Sequence, residues 1–114
     1  MKKILIAALI FPAALALQFC SSSKKAAKAT SKVTYEAQVK PVFQATCTPC
    51  HFPPQGNKTP YDTYASVKKD VDEILVRIRK NPGERGFMPA RHAKLPDATI
   101  QLIAQWKADG LLEK

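Results

Sequence analysis

The sequence predicts an all-α domain of three or more helices joined by long loops. Two stretches, 66–80 and 97–109, repeat apolar residues at the three-and-four spacing that places them on one helix face. The segments 52–60 and 81–89 are rich in proline, glycine and asparagine, which is typical of turns and loops. The chain lacks the alternation of apolar and polar residues that marks a half-buried strand. A helical fold without a sheet is therefore expected.

A first helix is predicted over residues 33–46. Thr34 suits the N-cap and Glu36 the first turn, where acidic side chains are favoured. Its apolar face would consist of Val39, Val42 and Phe43. Pro41 lies inside this stretch and lacks a backbone N–H, so it removes one helical hydrogen bond. We therefore expect a kink or a restart at Pro41, the alternative being a shorter helix over 41–46.

The second and third helices have recognisable ends. Ser66 is predicted to open the second helix, and Asn81-Pro82-Gly83 ends it. Its apolar stripe consists of Val67, Val71, Ile74, Leu75 and Ile78. The third helix is predicted to start at Leu95-Pro96-Asp97 and to stop at Gly110 as a C′ residue. Its apolar face would hold Ile100, Ile103, Ala104 and Trp106, with Leu102 near the edge.

The stretch Cys47-Thr48-Pro49-Cys50-His51 has the form C-x-x-C-H, which is typical of a c-type haem attachment site. Two thiols at this spacing can bond to the two vinyl-derived carbons of one haem. The adjacent imidazole then becomes the proximal ligand of the iron. Cys47, Cys50 and His51 are therefore predicted to bind one covalent haem c, with His51 as an iron ligand.

Two other interpretations of these residues were weighed. A thioredoxin-like dithiol at Cys47 and Cys50 needs a βαβ setting, which the pattern of the chain does not indicate. A zinc site needs four ligands, which Cys47, Cys50, His51 and His92 could supply, but no second pair of ligands has a convincing spacing. The haem interpretation is favoured over both.

A second axial ligand is expected because iron in an electron carrier is usually held on both sides. Met88 is the only methionine apart from the initiator, and it precedes Pro89, which stiffens the loop. Met88 is predicted to be this ligand, although a role as a core gap-filler is the alternative. His92 is the rival ligand. Arg91 and Lys94 are candidate partners for the haem propionates.

The formal charge of +9 belongs mainly to the N-terminal part of the chain. Six of the eighteen lysine and arginine residues precede Val33, which leaves twelve basic against nine acidic residues, or +3, from Val33 onward. The domain is thus only mildly basic, and nucleic acid is not an expected partner.

Residues 1–19 are predicted to be a signal peptide. Lys2-Lys3 forms a positive region, and the uncharged apolar stretch 4–17 is short for a transmembrane span, so a retained helical anchor is the less favoured alternative. Ala14-Leu15-Ala16 fits ordinary leader cleavage. Leu17-Gln18-Phe19-Cys20 resembles the lipobox of bacterial lipoproteins, although Phe19 stands where a small residue is usual.

Cysteine usage favours the lipobox, because Cys20 would otherwise remain a free thiol in an oxidising compartment. Cys20 is accordingly predicted to be lipidated, with cleavage after Ala16 as the alternative. Residues 20–33 would form a lipidated or free linker whose lysines favour an anionic membrane surface. The domain itself is predicted to span 34–114.

The order of a helix, C-x-x-C-H, a middle helix, a methionine loop and a helix bearing Trp106 resembles a small monohaem class I cytochrome c. The stretch 81–89, which contains Gly86-Phe87-Met88-Pro89, is similar to bacterial haem-binding domains with a G-x-M-P loop. This resemblance implies a mostly helical fold, covalent haem c, histidine–methionine ligation and crossing terminal helices. Pro41 and the insert after His51 depart from the pattern.

The leading functional prediction is a one-electron carrier, not an enzyme, on the periplasmic side of a bacterial membrane, with redox proteins and the membrane as its partners. Histidine–methionine ligation would place its reduction potential on the positive side. One alternative is a haem sensor or peroxidase-like protein with an open sixth site. The other alternative is a haem subunit within a larger redox complex.

Overall fold

The computed structural model describes residues 31–114 of the chain. Within this range a π-helical turn, Tyr35–Val39, leads into helices α1 (Lys40–Thr46), α2 (Tyr64–Arg79) and α3 (Asp97–Ala108). The described residues contain no strand, only an isolated parallel bridge between Thr34 and Leu112. The prediction of an all-α fold is confirmed.

The predictions for residues 1–30, which are the signal peptide, lipidation at Cys20 and most of the linker, lie outside the described residues. Between residues 31 and 114, no helix is both long enough and apolar enough to cross a membrane.

The first predicted helix is divided just before Pro41, between Val39 and Lys40. The N–H of Lys40 donates to the carbonyl of Tyr35, which is the five-residue step of a π-helix. Pro41 then lies in the first turn of α1, where its fixed φ is compatible with a helix. The expected restart is confirmed. Thr34 occupies the N-cap position, but its N–H and hydroxyl both donate to Gln38 Oε1, at 2.8 and 3.1 Å, so its side chain does not cap the helix.

Helix α2 begins two residues before the predicted start at Ser66. Thr63 is the N-cap, and its Oγ1 accepts the N–H of Ser66 at 3.2 Å while Ser66 Oγ accepts the N–H of Thr63 at 3.3 Å. Ser66 is therefore the third helical residue of a capping box. The predicted start was two residues late because serine favours the N-cap, whereas Ser66 occupies the third helical position here.

The apolar faces predicted for α2 and α3 form most of the core. The buried apolar residues are Val33, Tyr35, Val39, Phe43, Val67, Val71, Ile74, Leu75, Ile78, Leu95, Ile100, Ile103 and Trp106. The ring of Trp106 lies 5.8 Å from that of Tyr35, so α3 packs against the π-helical turn, as expected for contact between the terminal helices. Helix α3 starts and ends as predicted, with Gly110 directly after its C-cap.

The C-terminal segment closes the domain by backbone hydrogen bonds. The carbonyl of Leu112 accepts the N–H of Tyr35 and the indole Nε1–H of Trp106, both at 2.8 Å. The hydroxyl of Tyr64 donates to the carbonyl of Leu111 at 2.8 Å. These bonds join the first helical turn, α2 and α3, and the C-terminal half of α2 also borders a cavity.

Candidate functional site

A cavity of about 590 Å³ lies between the end of α1, the loop that follows it, α2 and the loop after α2. Cavities of about 300–1,000 Å³ commonly hold small molecules and cofactors. Cys47, Cys50, His51 and Met88 all line it. Its apolar walls include Phe43, Ile74, Ile78 and Leu95. The fold therefore brings together four residues that the sequence analysis selected from two distant segments.

The two thiols are positioned by the end of α1. Cys47 is the C-cap of this helix, and its N–H donates to the carbonyl of Phe43 at 2.9 Å. The N–H of His51 donates to the carbonyl of Cys47 at 3.0 Å, so the motif makes one turn. Neither cysteine is part of a disulfide. Burial raises the pKa of the Cys47 thiol, and its contact with the Thr46 hydroxyl lowers that pKa to a smaller extent.

The imidazole of His51 is held through Nδ1, which lies 2.7 Å from the carbonyl oxygen of Thr59. A carbonyl can only accept a hydrogen bond, so Nδ1 must carry the proton. The lone pair is then on Nε2, the nitrogen available to a metal. Hydrogen bonding of the other ring nitrogen is the usual way in which a ligating histidine is oriented.

Tyr61 is a cavity residue that the sequence analysis missed. Its ring is stacked on that of His51, with centroids 4.6 Å apart and planes 12° apart. Its backbone N–H donates to the His51 carbonyl at 2.9 Å. Burial and then the nearby Asp70 carboxylate raise the pKa of the Tyr61 hydroxyl. An aromatic residue after a proline-rich loop was the only sequence signal, and it does not distinguish a core residue from a site residue.

The loop after the motif folds back over the motif's own backbone. The N–H of Lys58 donates to the carbonyl of Cys50 at 3.1 Å. At Gly56 a Cβ atom would lie 2.1 Å from the carbonyl oxygens of both Pro49 and Cys50, which is closer than any side chain can approach. Glycine is thus required at this position for the loop to reach Thr59 and Tyr61.

Met88 reaches the cavity from the loop after α2. Its side chain is half-buried against the core, and the following Pro89 is buried. The N–H of Met88 donates to the carbonyl of Arg77 at 3.3 Å, which fixes the loop to the last turn of α2. The thioether sulfur thus belongs to a segment attached to the frame of the domain.

The rival ligand His92 and the candidate propionate partners Arg91 and Lys94 are held differently from Met88. His92 and Arg91 line the same cavity, but both are exposed. Lys94 does not line the cavity, and its Nζ donates to Asn81 Oδ1 at 3.0 Å. For the zinc alternative, no three His, Cys, Asp or Glu residues between 31 and 114 converge as metal ligands.

The donor set fits a covalently attached haem. Two free thiols at C-x-x-C spacing can form two thioether bonds, an imidazole presents Nε2, and a methionine supplies a thioether sulfur. These donors lie in a cavity with apolar walls, which suits a large flat apolar group. When bound, haem supplies an iron that gains and loses one electron.

Comparison with known proteins agrees with this chemistry. Residues 36–106 match the family model described as cytochrome c oxidase, cbb3-type, subunit III, and this match covers more than half of the chain. Searches of curated proteins and of solved structures gave no match. Domains of the matched kind hold haem c covalently and take part in electron transfer. The chain therefore belongs to this cytochrome c family, as a small class I domain.

Proposed function

We propose that this protein is a one-electron carrier of the bacterial cell envelope that uses one haem c with histidine–methionine ligation. The observation that carries the proposal is the convergence of Cys47, Cys50, His51 and Met88 on one cavity of about 590 Å³. In this proposal Cys47 and Cys50 hold the haem through thioethers. His51 Nε2 and Met88 Sδ are the axial ligands.

Met88 is preferred to His92 as the second ligand because of how the two residues are held. Met88 is half-buried, its backbone is bonded to Arg77, and its neighbour Pro89 is buried. His92 is exposed, and its N–H is bonded only locally, to the carbonyl of Pro89 at 3.1 Å. A weak thioether ligand benefits most from a position fixed in advance, since less conformational entropy is lost when it binds.

A role as a carrier, and not as an enzyme, follows if both axial positions are occupied by the protein. Substrates such as peroxide then have no free site on the iron, and the chain's own residues restrict the reaction to electron exchange. Methionine ligation also raises the reduction potential relative to histidine–histidine ligation. In this proposal the occupation of both axial positions by the protein is what makes it an electron carrier.

Anaerobic redox titration of the mature domain, together with carbon monoxide binding, tests this proposal. We expect a midpoint potential on the positive side and slow carbon monoxide binding by the ferrous protein at neutral pH. His92→Ala is the control variant and should change neither result. A strongly negative midpoint would contradict Met88 ligation, and rapid carbon monoxide binding would favour the sensor or peroxidase-like alternative.

The family model supports a second candidate, in which the domain is a haem subunit of a larger redox complex. The matched model is described as a subunit of an oxidase, and such domains typically lie on the periplasmic side of a membrane. Co-purification from mild detergent distinguishes a stable subunit from a carrier, because only the subunit would remain with other redox proteins at high salt.

We also propose the domain organisation that delivers the protein to the envelope: a signal peptide over 1–19, a linker over 20–33 and the cytochrome domain over 34–114. The lipobox-like Leu17-Gln18-Phe19-Cys20 supports acylation of Cys20. Several acyl chains hold a protein to a membrane far more firmly than a single chain. Detergent phase partitioning of the wild type and Cys20→Ser tests this point. Wild-type protein in the aqueous phase with an N-terminus at Leu17 would contradict it.

A further inference from the structure

The stacked pair formed by Tyr61 and His51 is supported from three directions. Phe43, which is buried in α1, meets the Tyr61 ring edge-on, with centroids 6.1 Å apart and planes 88° apart. The backbone N–H of Tyr61 donates to the carbonyl of His51 at 2.9 Å. Asp70 of α2 lies near enough for its charge to raise the pKa of the Tyr61 hydroxyl. The Tyr61 ring therefore packs on α1, its backbone is bonded to His51, and its hydroxyl lies near α2.

The hydrogen bond to Thr59 does not by itself fix the plane of the imidazole. That bond lies along the direction of Nδ1–H, at 2.7 Å from the carbonyl oxygen. A single bond in the ring plane leaves the ring free to rock about the line of the bond. The Tyr61 ring, parallel within 12° at a centroid distance of 4.6 Å, blocks this motion from one face. The bond and the stacked ring together define both the tautomer and the plane of His51.

We propose that Tyr61 is a positioning residue that sets the plane of the His51 imidazole and hence the orientation of Nε2 in the cavity. This inference rests on the proposed function, in which His51 is an iron ligand. Tyr61 acts through its ring face, because the ring and not the hydroxyl contacts His51. The other tyrosines differ: Tyr35 and Tyr64 pack on Trp106 and do not line the cavity.

Four variants of the full chain, matured with haem, test the proposal. Tyr61→Phe retains the stacked ring, whereas Tyr61→Leu and Tyr61→Met fill the space without a planar face. Tyr64→Leu is the matched control, since it makes the same exchange away from the cavity and removes the hydrogen bond to Leu111. The measurement is the pattern of haem methyl proton shifts in the ferric protein, which depends on the orientation of the axial ligand planes.

We expect Tyr61→Phe to keep the wild-type order and spread of the methyl shifts. Tyr61→Leu and Tyr61→Met should change the spread or the order of these shifts. Tyr64→Leu should lower the melting temperature and leave the methyl shifts as in the wild type. If Tyr61 contributed only to stability, its variants would lower the melting temperature, as Tyr64→Leu does, and would leave the methyl shifts unchanged. A change in the methyl shifts therefore indicates positioning of His51.

Wild-type methyl shifts in both Tyr61→Leu and Tyr61→Met would overturn the proposal. An equal change in Tyr61→Phe would also overturn it, because the hydroxyl and not the stacked face would then be responsible. Failure of the proposed function has a different signature: rapid carbon monoxide binding by the wild type contradicts Met88 ligation. Altered methyl shifts in the Tyr61 variants would support the inference even then, since it concerns the His51 side.

Discussion

Each donor residue at the cavity is held by a neighbour that restricts its chemical state or its position. The Thr59 carbonyl fixes the proton of His51 on Nδ1. Burial raises the pKa of the Cys47 thiol, which favours its protonated form. The Arg77 carbonyl holds the backbone of Met88. The chain's own hydrogen bonds and packing thus position these donors.

Substitution of the proposed sulfur ligand is the most informative single change at this scale. Met88→Ala should retain covalent haem, because Cys47 and Cys50 are untouched, but should open the sixth position. The midpoint potential should fall by on the order of 0.1 V, within the ~0.8 V that axial ligands control. Carbon monoxide binding should become rapid. An unchanged visible spectrum in Met88→Ala would transfer the role to another residue, with His92, which lines the cavity, as the first candidate.

The residues that could be predicted are those whose chemistry depends on side chains at fixed spacing. Cys47, Cys50 and His51 were selected because two thioethers and one nitrogen ligand require that arrangement. Thr59 could not be predicted, because it contributes a backbone carbonyl that any residue possesses. Tyr61 could not be predicted either, since an aromatic ring in a loop gives the same pattern whether it packs in the core or on a ligand.

At the scale of the elements, Arg77 joins α2 to the loop that follows it. Arg77 Nε donates to Glu73 Oε1 at 2.7 Å, and Arg77 Nη1 would lie 3.2 Å from a Cβ atom at Gly86. Gly86 has a positive φ of 83° and precedes Met88 by two residues. The guanidinium therefore packs on the backbone of the methionine loop.

Gly86→Ala should destabilise the domain and displace the methionine loop. A left-handed conformation costs a residue with a side chain about 1–2 kcal/mol. The matched control is Gly83→Ala, which has a φ of 93° but no heavy atom within 4 Å of the added Cβ. Thermal unfolding should show a similar loss of stability in both, with a further loss in Gly86→Ala. Only Gly86→Ala should weaken the methionine–iron charge-transfer band, and equal weakening in Gly83→Ala would contradict the role of the Arg77 contact.

The two ends of the domain are joined by a carboxylate. The N–H of Val33 donates to Asp109 Oδ2 at 2.7 Å, and this hydrogen bond is the main cause of the lowered pKa of Asp109. A lowered folded-state pKa contributes stability above the unfolded value, near pH 4, and loses it as the pH falls through the folded value. The carboxylate should thus support the closure of the domain at neutral pH and not in acid.

Asp109→Asn should keep an acceptor for Val33 and remove this pH dependence. We expect its melting temperature to fall less than that of the wild type when the pH decreases from 5 to 2, since an amide does not titrate there. Asp62→Asn, which changes an exposed carboxyl in the loop before α2, is the control. Equal acid sensitivity of the wild type and Asp109→Asn in calorimetry would contradict the role of Asp109.

Helix interiors could be predicted from the sequence, but the start of α2 and the π-helical form of the first turn could not. The stripe from Val67 to Ile78 depends only on spacing and burial, and it was confirmed. The start of α2 depended on whether Ser66 or Thr63 served as the N-cap, and both residue types favour that position. The π-helical turn before Pro41 depends on contacts with α3, which local sequence does not encode.

For the whole molecule, the side-chain core and the cavity are complementary. Thirteen apolar residues are buried within the described range, yet a cavity of about 590 Å³ with apolar walls remains beside them. A domain of this size has a marginal core from side chains alone. A covalently held apolar cofactor in the cavity would complete it.

Replacing both Cys47 and Cys50 by alanine should therefore affect folding as well as cofactor attachment. We expect loss of covalent haem and loss of a cooperative thermal transition, because the apolar walls of the cavity would face water. Cys20→Ser is the control, since it removes the remaining cysteine and should keep both properties. A double variant that still melts cooperatively at the wild-type temperature would contradict this dependence on the cofactor.

The central claim is that Cys47, Cys50, His51 and Met88 together hold one haem c. The most direct test is the visible spectrum of protein produced with the haem-maturation machinery. We expect a reduced α-band of the two-thioether type and, in the ferric protein, a methionine–iron charge-transfer band. Protein that contains no covalent haem after such expression, or that has the spectrum of a high-spin open site, would contradict the claim.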